Sequence, residues 1–272
     1  MKEELLFYEA YEQFYTMADT SKAFKGYCKD AFGADFSQDG FSDLSQIDTV
    51  LSYIPKRSNL HILDIGCGNG KMLRYLQEKT GAYICGFDYS DQAIQTAIAQ
   101  RDATPMQNDI EFMQSNVSSD FATRADFRVG VIGEIEYPAE SFDVVTSIDS
   151  IYFAKDMSAF VGQVRTWLKT DGVFVIGYQE GDVMLKTKNS ETTVLAQALR
   201  ENGLSYEVTD ITQDTYLLLK KKRESALKFE IEFAKEGYTE WFDMLIGQTE
   251  CVNVPFEAYR EKNARYLFRA WK

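Results

Sequence analysis

The chain of 272 residues carries 29 basic and 42 acidic side chains, a net charge of −13, with 45% hydrophobic and 26% charged residues. That balance suits one large folded domain, or one domain with an appended lid, since folded units run to about 100–200 residues, and it excludes disordered and low-complexity classes. The acidic excess repels a nucleic-acid polyanion on average, and no apolar run approaches the ~20 residues that cross a bilayer.

Neither a nucleic acid nor a membrane is therefore expected as a partner. The opening residues carry acids where a signal peptide would carry bases and a long apolar run, so a cytoplasmic protein is expected. Cys28, Cys67, Cys85 and Cys251 form no CxxC pair and read as small buried hydrophobes of a reduced compartment, with no metal site.

Residues 1–54 read as helical. Phe7, Tyr8, Tyr11, Phe14 and Tyr15 recur at three- and four-residue steps and give one apolar face that needs something to cover. A second helix follows near Ser21 to Phe32, and Ile47, Val50, Leu51 and Ile54 mark a third that ends at Pro55. From Leu60 short apolar runs alternate with helical segments: strands at Leu60–Ile65, Tyr83–Asp88, Phe127–Ile132, Phe142–Ile148 and Val173–Tyr178, with helices at Lys71–Lys79, Asp91–Arg101 and Met157–Lys169. This is the rhythm of a parallel sheet covered on both faces. A turn is expected at Asp171-Gly172, a helix near Thr192–Asn202, a sixth strand near Tyr206–Ile211 and a seventh at Arg265–Trp271.

The expected fold is thus α/β: a doubly wound, mostly parallel seven-stranded sheet. Its divisions are a helical N-terminal lid (1–54), the core (55–211), a helical insertion (212–262) too long for a simple connection, and the last strand (263–272).

The glycine loop Gly66-Cys67-Gly68-Asn69-Gly70 ends the first strand and opens the first core helix, where doubly wound sheets bind nucleotides. Glycine lets the backbone turn sharply and a ligand approach closely. A dinucleotide fingerprint wants its third glycine at position 71, which is Lys71, so a pyrophosphate ligand is disfavoured. Asp88 ends the second strand, where a carboxylate can accept both ribose hydroxyl protons, and Tyr89 can lie against an adenine face.

Together with Asp64, the segments LDIGCGNG, GFDYS and ESFDVVTSIDSIYF resemble class I S-adenosylmethionine-dependent methyltransferases over roughly residues 60–178. The resemblance implies S-adenosyl-L-methionine as cofactor. Gly66, Gly68 and Gly70 then line its methionine and ribose parts, Asp88 holds the ribose, and Ser147 to Asp149 line the substrate side, with Ser147 also against the cofactor. Family members carry an acid after the third strand, about a dozen residues before the aspartate of the SFD segment; here 143 − 12 gives Val131, with the Ile132 amide facing the adenine. The rival position is Asn116, with the third strand moved earlier; on the preferred reading residues 103–124 are a local insertion.

Methyl transfer from a sulfonium is an in-line displacement that needs alignment and exclusion of water. The N-terminal helices and the insertion, with Tyr238, Trp241, Phe242 and Phe256, are expected to roof the pocket. His61, at the far end of the first strand, reads as structural. Asp149 is the expected carboxylate to orient or deprotonate the acceptor and Tyr152 its companion, with Tyr178 and Glu180 as weaker choices at the same edge. The run Lys220-Lys221-Lys222-Arg223 reads as the solvated face of a helix. The expected function is methyl transfer to a small amine or hydroxyl by a monomer or homodimer. The alternatives are a cofactor-binding regulator without turnover, or methylene transfer to lipid as in cyclopropane fatty acid synthases.

Overall fold

The computed structural model describes residues 5–37, 39–103 and 124–272. Three helices come first, α1 (Tyr8–Thr20), α2 (Lys22–Phe32) and α3 (Leu44–Tyr53). The Ser21 hydroxyl caps α2 by accepting the Phe24 amide at 2.9 Å, and Asp43 caps α3 through the Gln46 amide at 2.9 Å. Then β1 (His61–Ile65), α4 (Lys71–Thr80), β2 (Tyr83–Asp88), α5 (Asp91–Ala103), β3 (Ala125–Val129) and β4 (Phe142–Ile148) follow. The chain continues through α6 (Met157–Trp167), β5 (Leu168–Glu180), α7 (Val194–Glu201) and β6 (Ser205–Asp210). Four helices, α8 (Thr212–Lys228), α9 (Glu230–Glu236), α10 (Thr239–Gln248) and α11 (Phe256–Lys262), precede β7 (Ala264–Trp271).

The seven strands form one sheet in the order β3-β2-β1-β4-β5-β7-β6. Neighbours from β3 to β5 are parallel, and β7 runs antiparallel to both β5 and β6. After β1 the chain winds outward to β3, then returns to place β4 on the other side of β1. That reversal opens a crevice at the carboxyl ends of β1 and β4, where such sheets bind ligands.

Period-two alternation feeds two cores. Ile62, Ile84, Val144 and Val175 face α3, α4 and α5, while Leu63, Phe87, Val145 and Phe174 face α6 and α7. A third apolar cluster lies off the sheet: Phe14, Phe24 and Phe32 of α1 and α2 share it with Leu218, Phe233 and Leu245 of the later helices. Polar contacts reinforce this union. The Glu236 carboxylate accepts the Ser21 hydroxyl at 2.6 Å and the Lys22 amide at 3.1 Å at the start of α2, and Asp30 pairs with Lys228 at 2.6 Å.

Most elements lie within two residues of expectation, and two places differ in a way that matters. The third strand is Ala125–Val129 rather than Phe127–Ile132, because pairing with β2 ends at Asp88↔Val129. The sixth helix stops at Trp167, and β5 starts at once at Leu168. The Asp171-Gly172 turn is absorbed as an irregularity in its pairing with β4, where the partner of Phe142 is Leu168 and that of Val144 is Val173. Asn116 and nearly all of 103–124 lie outside the described residues.

Candidate active site

A cavity of about 870 Å³ opens at the crevice between β1 and β4. One end of it is built by the β1–α4 turn. Gly66 and Gly68 take φ of 71° and 53°, a left-handed backbone that side chains rarely adopt. A Cβ on Gly66 would come within 2.5 Å of Ser150 Cβ, and one on Gly68 within 2.5 Å of the Tyr15 hydroxyl. The Gly68 amide donates to Asp88 Oδ2 at 3.0 Å and the Ser90 amide to Asp88 Oδ1 at 2.9 Å. Burial nevertheless pushes the Asp88 carboxyl up to about 6.

Asp64, beside it, accepts the Thr146 hydroxyl on Oδ1 at 2.6 Å, while its buried Oδ2 has no partner among the described residues. Burial pushes this carboxyl up to about 7, and the nearby Asp88 adds to the shift. Tyr89, Val131 and Ile132 complete this end. The Tyr89 hydroxyl donates to the Leu6 carbonyl at 3.1 Å, and Tyr8 and Tyr11 lie at ring distances of 5.8 and 6.1 Å from it. The aromatic stripe of α1 therefore covers the cavity, with Tyr11, Phe14 and Tyr15 in its wall. Glu12 ties α1 down by accepting the Ser90 hydroxyl at 2.5 Å.

The other end is assembled from distant parts of the chain. Asp39, Gly40, Phe41 and Ser42 line it together with Asp149, Tyr152, Trp241, Gln248 and Tyr259. The Asp149 carboxylate is committed: Oδ2 accepts the Phe41 amide at 3.0 Å, and Oδ1 lies 2.9 Å from the guanidinium of Arg265, whose side chain is 1% exposed. The same guanidinium donates to the Ser42 hydroxyl at 2.7 Å. Burial and the neighbouring Asp149 charge keep the Tyr152 phenol well above its usual value, so at neutral pH it is a proton-bearing hydroxyl.

The chain belongs to a known family on direct comparison. A methyltransferase-domain family model matches residues 56–230. This chain is a class I S-adenosylmethionine-dependent methyltransferase-domain protein. Among curated relatives, it is 25% identical over 196 residues to the mitochondrial arginine-hydroxylase NDUFAF5 of Rattus norvegicus, covering 70% of this chain and 50% of that protein. It is 24% identical over 220 residues to phosphoethanolamine N-methyltransferase 1 of Zea mays, covering 74% and 40%. The chain thus spans half or less of these relatives' length. In fold it matches phosphoethanolamine N-methyltransferase 2 of Haemonchus contortus, solved with phosphomonomethylethanolamine and S-adenosylhomocysteine, at a TM-score of 0.72 and 19% identity, over 96% of this chain and 59% of that one.

The residues of this methyltransferase domain fit the family's cofactor. A buried carboxylate oxygen without a partner at Asp64 suits an ammonium, Asp88 suits a ribose diol, and the glycine backbone leaves room between them. A pyrophosphate would meet two carboxylates instead, and Lys71 turns away to bind Asp35 at 2.9 Å and Ser37 at 2.7 Å.

Of the residues expected at the site, Asp64, Gly66, Gly68, Asp88, Tyr89, Val131, Ile132, Asp149 and Tyr152 all line the cavity. Gly70 does not; it is the N-cap of α4, packed against Phe127 and Ala97. Ser147 is fully buried behind the wall, its hydroxyl 2.8 Å from that of Ser150, which takes the wall position and donates to the Ile65 carbonyl at 2.5 Å. Glu180 is spent on the Thr187 amide and hydroxyl, both at 2.9 Å, and neither it nor Tyr178 is in the wall. Of the four roof aromatics only Trp241 reaches the cavity; Tyr238 and Phe242 pack in the helical cluster and Phe256 lies 5.4 Å from Tyr216. His61 stacks on Tyr83 at 4.8 Å.

The basic run needs a larger correction. Lys222 is 1% exposed, donating to the Gly40 carbonyl at 3.3 Å and lying over the rings of Phe32 and Phe41 at 5.5 and 5.2 Å. Only its neighbours Lys220 and Lys221 face solvent. Helical spacing turns one residue of any such run inward, and here that residue meets a polar cluster rather than an apolar core.

Proposed function

We propose that the protein transfers the methyl group of S-adenosylmethionine to a small-molecule nucleophile, an amine or a hydroxyl. The observation that carries this reading is that the Asp64–glycine loop–Asp88 cradle opens into the same cavity as the aromatic wall of Phe41, Tyr152 and Trp241. When bound, the sulfonium supplies an activated methyl group and a neutral thioether leaving group.

The chain's own residues do the rest. Asp88 would take the ribose hydroxyls and Asp64 Oδ2 the amino group, while Val131, Tyr89 and the Ile132 amide would border the adenine. With the donor so held, a nucleophile at the other end of the cavity would meet the sulfonium methyl, and the gain would come from alignment of the two reactants. Residues 1–54 and 212–262 act as the lid: Tyr11, Phe14 and Trp241 exclude water, which would otherwise solvate the nucleophile. Asp149 serves as a positioning residue, holding the Phe41 amide against β4 through its pair with Arg265.

Incubation with methyl-labelled donor and a panel of amines, phenols and metabolites tests the reading. Label is expected to appear in a small product. Donor binding with no transfer to any member of the panel would overturn turnover and leave the regulatory alternative.

A further inference from the structure

Four consecutive residues of the cavity wall, Asp39 to Ser42, are pinned from four separate elements. Gln248 of α10 donates to Asp39 Oδ1 at 2.9 Å, Lys222 of α8 to the Gly40 carbonyl, Asp149 after β4 accepts the Phe41 amide, and Arg265 of β7 holds Ser42. So rigid a mounting is what a group that must meet a substrate at a fixed angle requires.

Within this segment Asp39 differs from Asp149. Asp149 accepts the Phe41 amide on Oδ2 and is ion-paired through Oδ1 with Arg265 at 2.9 Å, though without a hydrogen bond there, whereas no donor among the described residues reaches Asp39 Oδ2. Asp39 shares the cavity wall with the aromatic side chains of Tyr11, Phe41, Tyr152, Trp241 and Tyr259. A carboxylate oxygen among aromatic faces is the chemistry that holds an ammonium group. An anion finds no such welcome. Among the described residues the only base in the wall is Lys155, whose side chain is 81% exposed, and Lys222 and Arg265 stand behind the wall.

Building on the methyl-transfer reading above, we propose that the acceptor is a small aliphatic amine and that Asp39 binds its ammonium and acts as the catalytic base. The N–H bond breaks and the proton passes to Asp39 Oδ2. The freed lone pair forms the bond to the methyl carbon as the carbon–sulfur bond breaks, with its electrons left on sulfur. The proton on Asp39 goes to water when the methylated ammonium leaves. Burial raises the Asp39 carboxyl above its usual range and Asp149 adds to this, while Lys222 and Gln248 hold it down; Tyr11 and, on α2, Tyr27 and Cys28 also face it. A base with a raised pKa is better matched to an ammonium than a solvated carboxylate is.

Calorimetry on the protein saturated with S-adenosylhomocysteine tests the assignment, with 2-(dimethylamino)ethanol and its neutral carbon counterpart 3-methylbutan-1-ol as probes. The amine is expected to bind at least ten-fold more tightly, and Asp39→Asn to abolish that preference with S-adenosylhomocysteine affinity kept within two-fold; Asp39→Glu should restore part of it. Equal binding of the two probes, failure of the amine to bind, or a preference that survives Asp39→Asn overturns the proposal. So does binding of 2-aminoethyl phosphate that depends on Lys222, by Lys222→Met, and not on Asp39. A wild-type protein that does not take up S-adenosylhomocysteine would instead overturn the donor reading itself, so the two failures are distinct.

Discussion

At the donor end of the cavity the polar wall comes mainly from residues 64 to 89, one strand–turn–helix–strand unit in which Gly68 and Asp88 are twenty positions apart. At the acceptor end, Asp39 meets Gln248 across 209 positions and Ser42 meets Arg265 across 223. The first is set by local backbone geometry. The second exists only once the N-terminal helices, the insertion and β7 have docked together. Local construction gives a site whose parts survive single changes elsewhere; long-range construction makes each buried charge depend on its distant partner.

The largest effect is therefore expected at the acceptor end. Arg265→Met removes a buried guanidinium that pairs with Asp149, whose side chain is 10% exposed, and breaking such a largely buried pair costs about 3–5 kcal/mol. Urea unfolding should show this as a lower midpoint, and a loss under ~1 kcal/mol would break the contrast. At the donor end Asp88→Ala should leave the fold in place but weaken S-adenosylmethionine binding by about 1–3 kcal/mol, the cost of unpaired hydroxyls. Unchanged affinity in calorimetry would remove Asp88 from the ribose.

A smaller, graded effect is expected with pH. Burial raises the carboxyls of Asp88 to about 6 and Asp64 to about 7, and a donor that pairs with their ionised forms draws their protons off. Donor affinity should rise as pH climbs from 5 to 8 and then level off, and Asp64→Asn should remove the upper part of that rise. In the free protein the sign is opposite: these two groups favour the folded state most below the ordinary carboxylate range, and that contribution declines as pH passes through about 6 to 7. A donor affinity flat from pH 5 to 8 would contradict both assignments.

The same division explains what could be read from the sequence. The β-strand rhythm, the glycine turn and Asp88 are written in short-range patterns, so the sheet and the glycine-loop end of the cavity were legible from residues 60 to 178. Asp149 was legible as a residue at the right edge, but its partner Arg265 was not, since nothing in the spacing of two residues on β4 and β7 says that they meet. Lys222 was hidden by its neighbours: three lysines and an arginine in a row look solvated, and only the packing of α8 against α2 turns the third inward. Asp39 and Gly40 resemble an ordinary turn dipeptide, and no periodicity marks them. Ser147 shows the opposite error, a correct segment with the wrong member, because the turn after β4 presents Ser150 instead.

The most direct test is a crystal structure of the protein with S-adenosylhomocysteine. The expected result places the ribose hydroxyls on Asp88, the amino group at Asp64 Oδ2 and the sulfur toward Phe41 and Tyr152. A ligand bound outside the cradle of residues 64 to 89, or no uptake at all, would contradict the assignment of this cavity to methyl transfer.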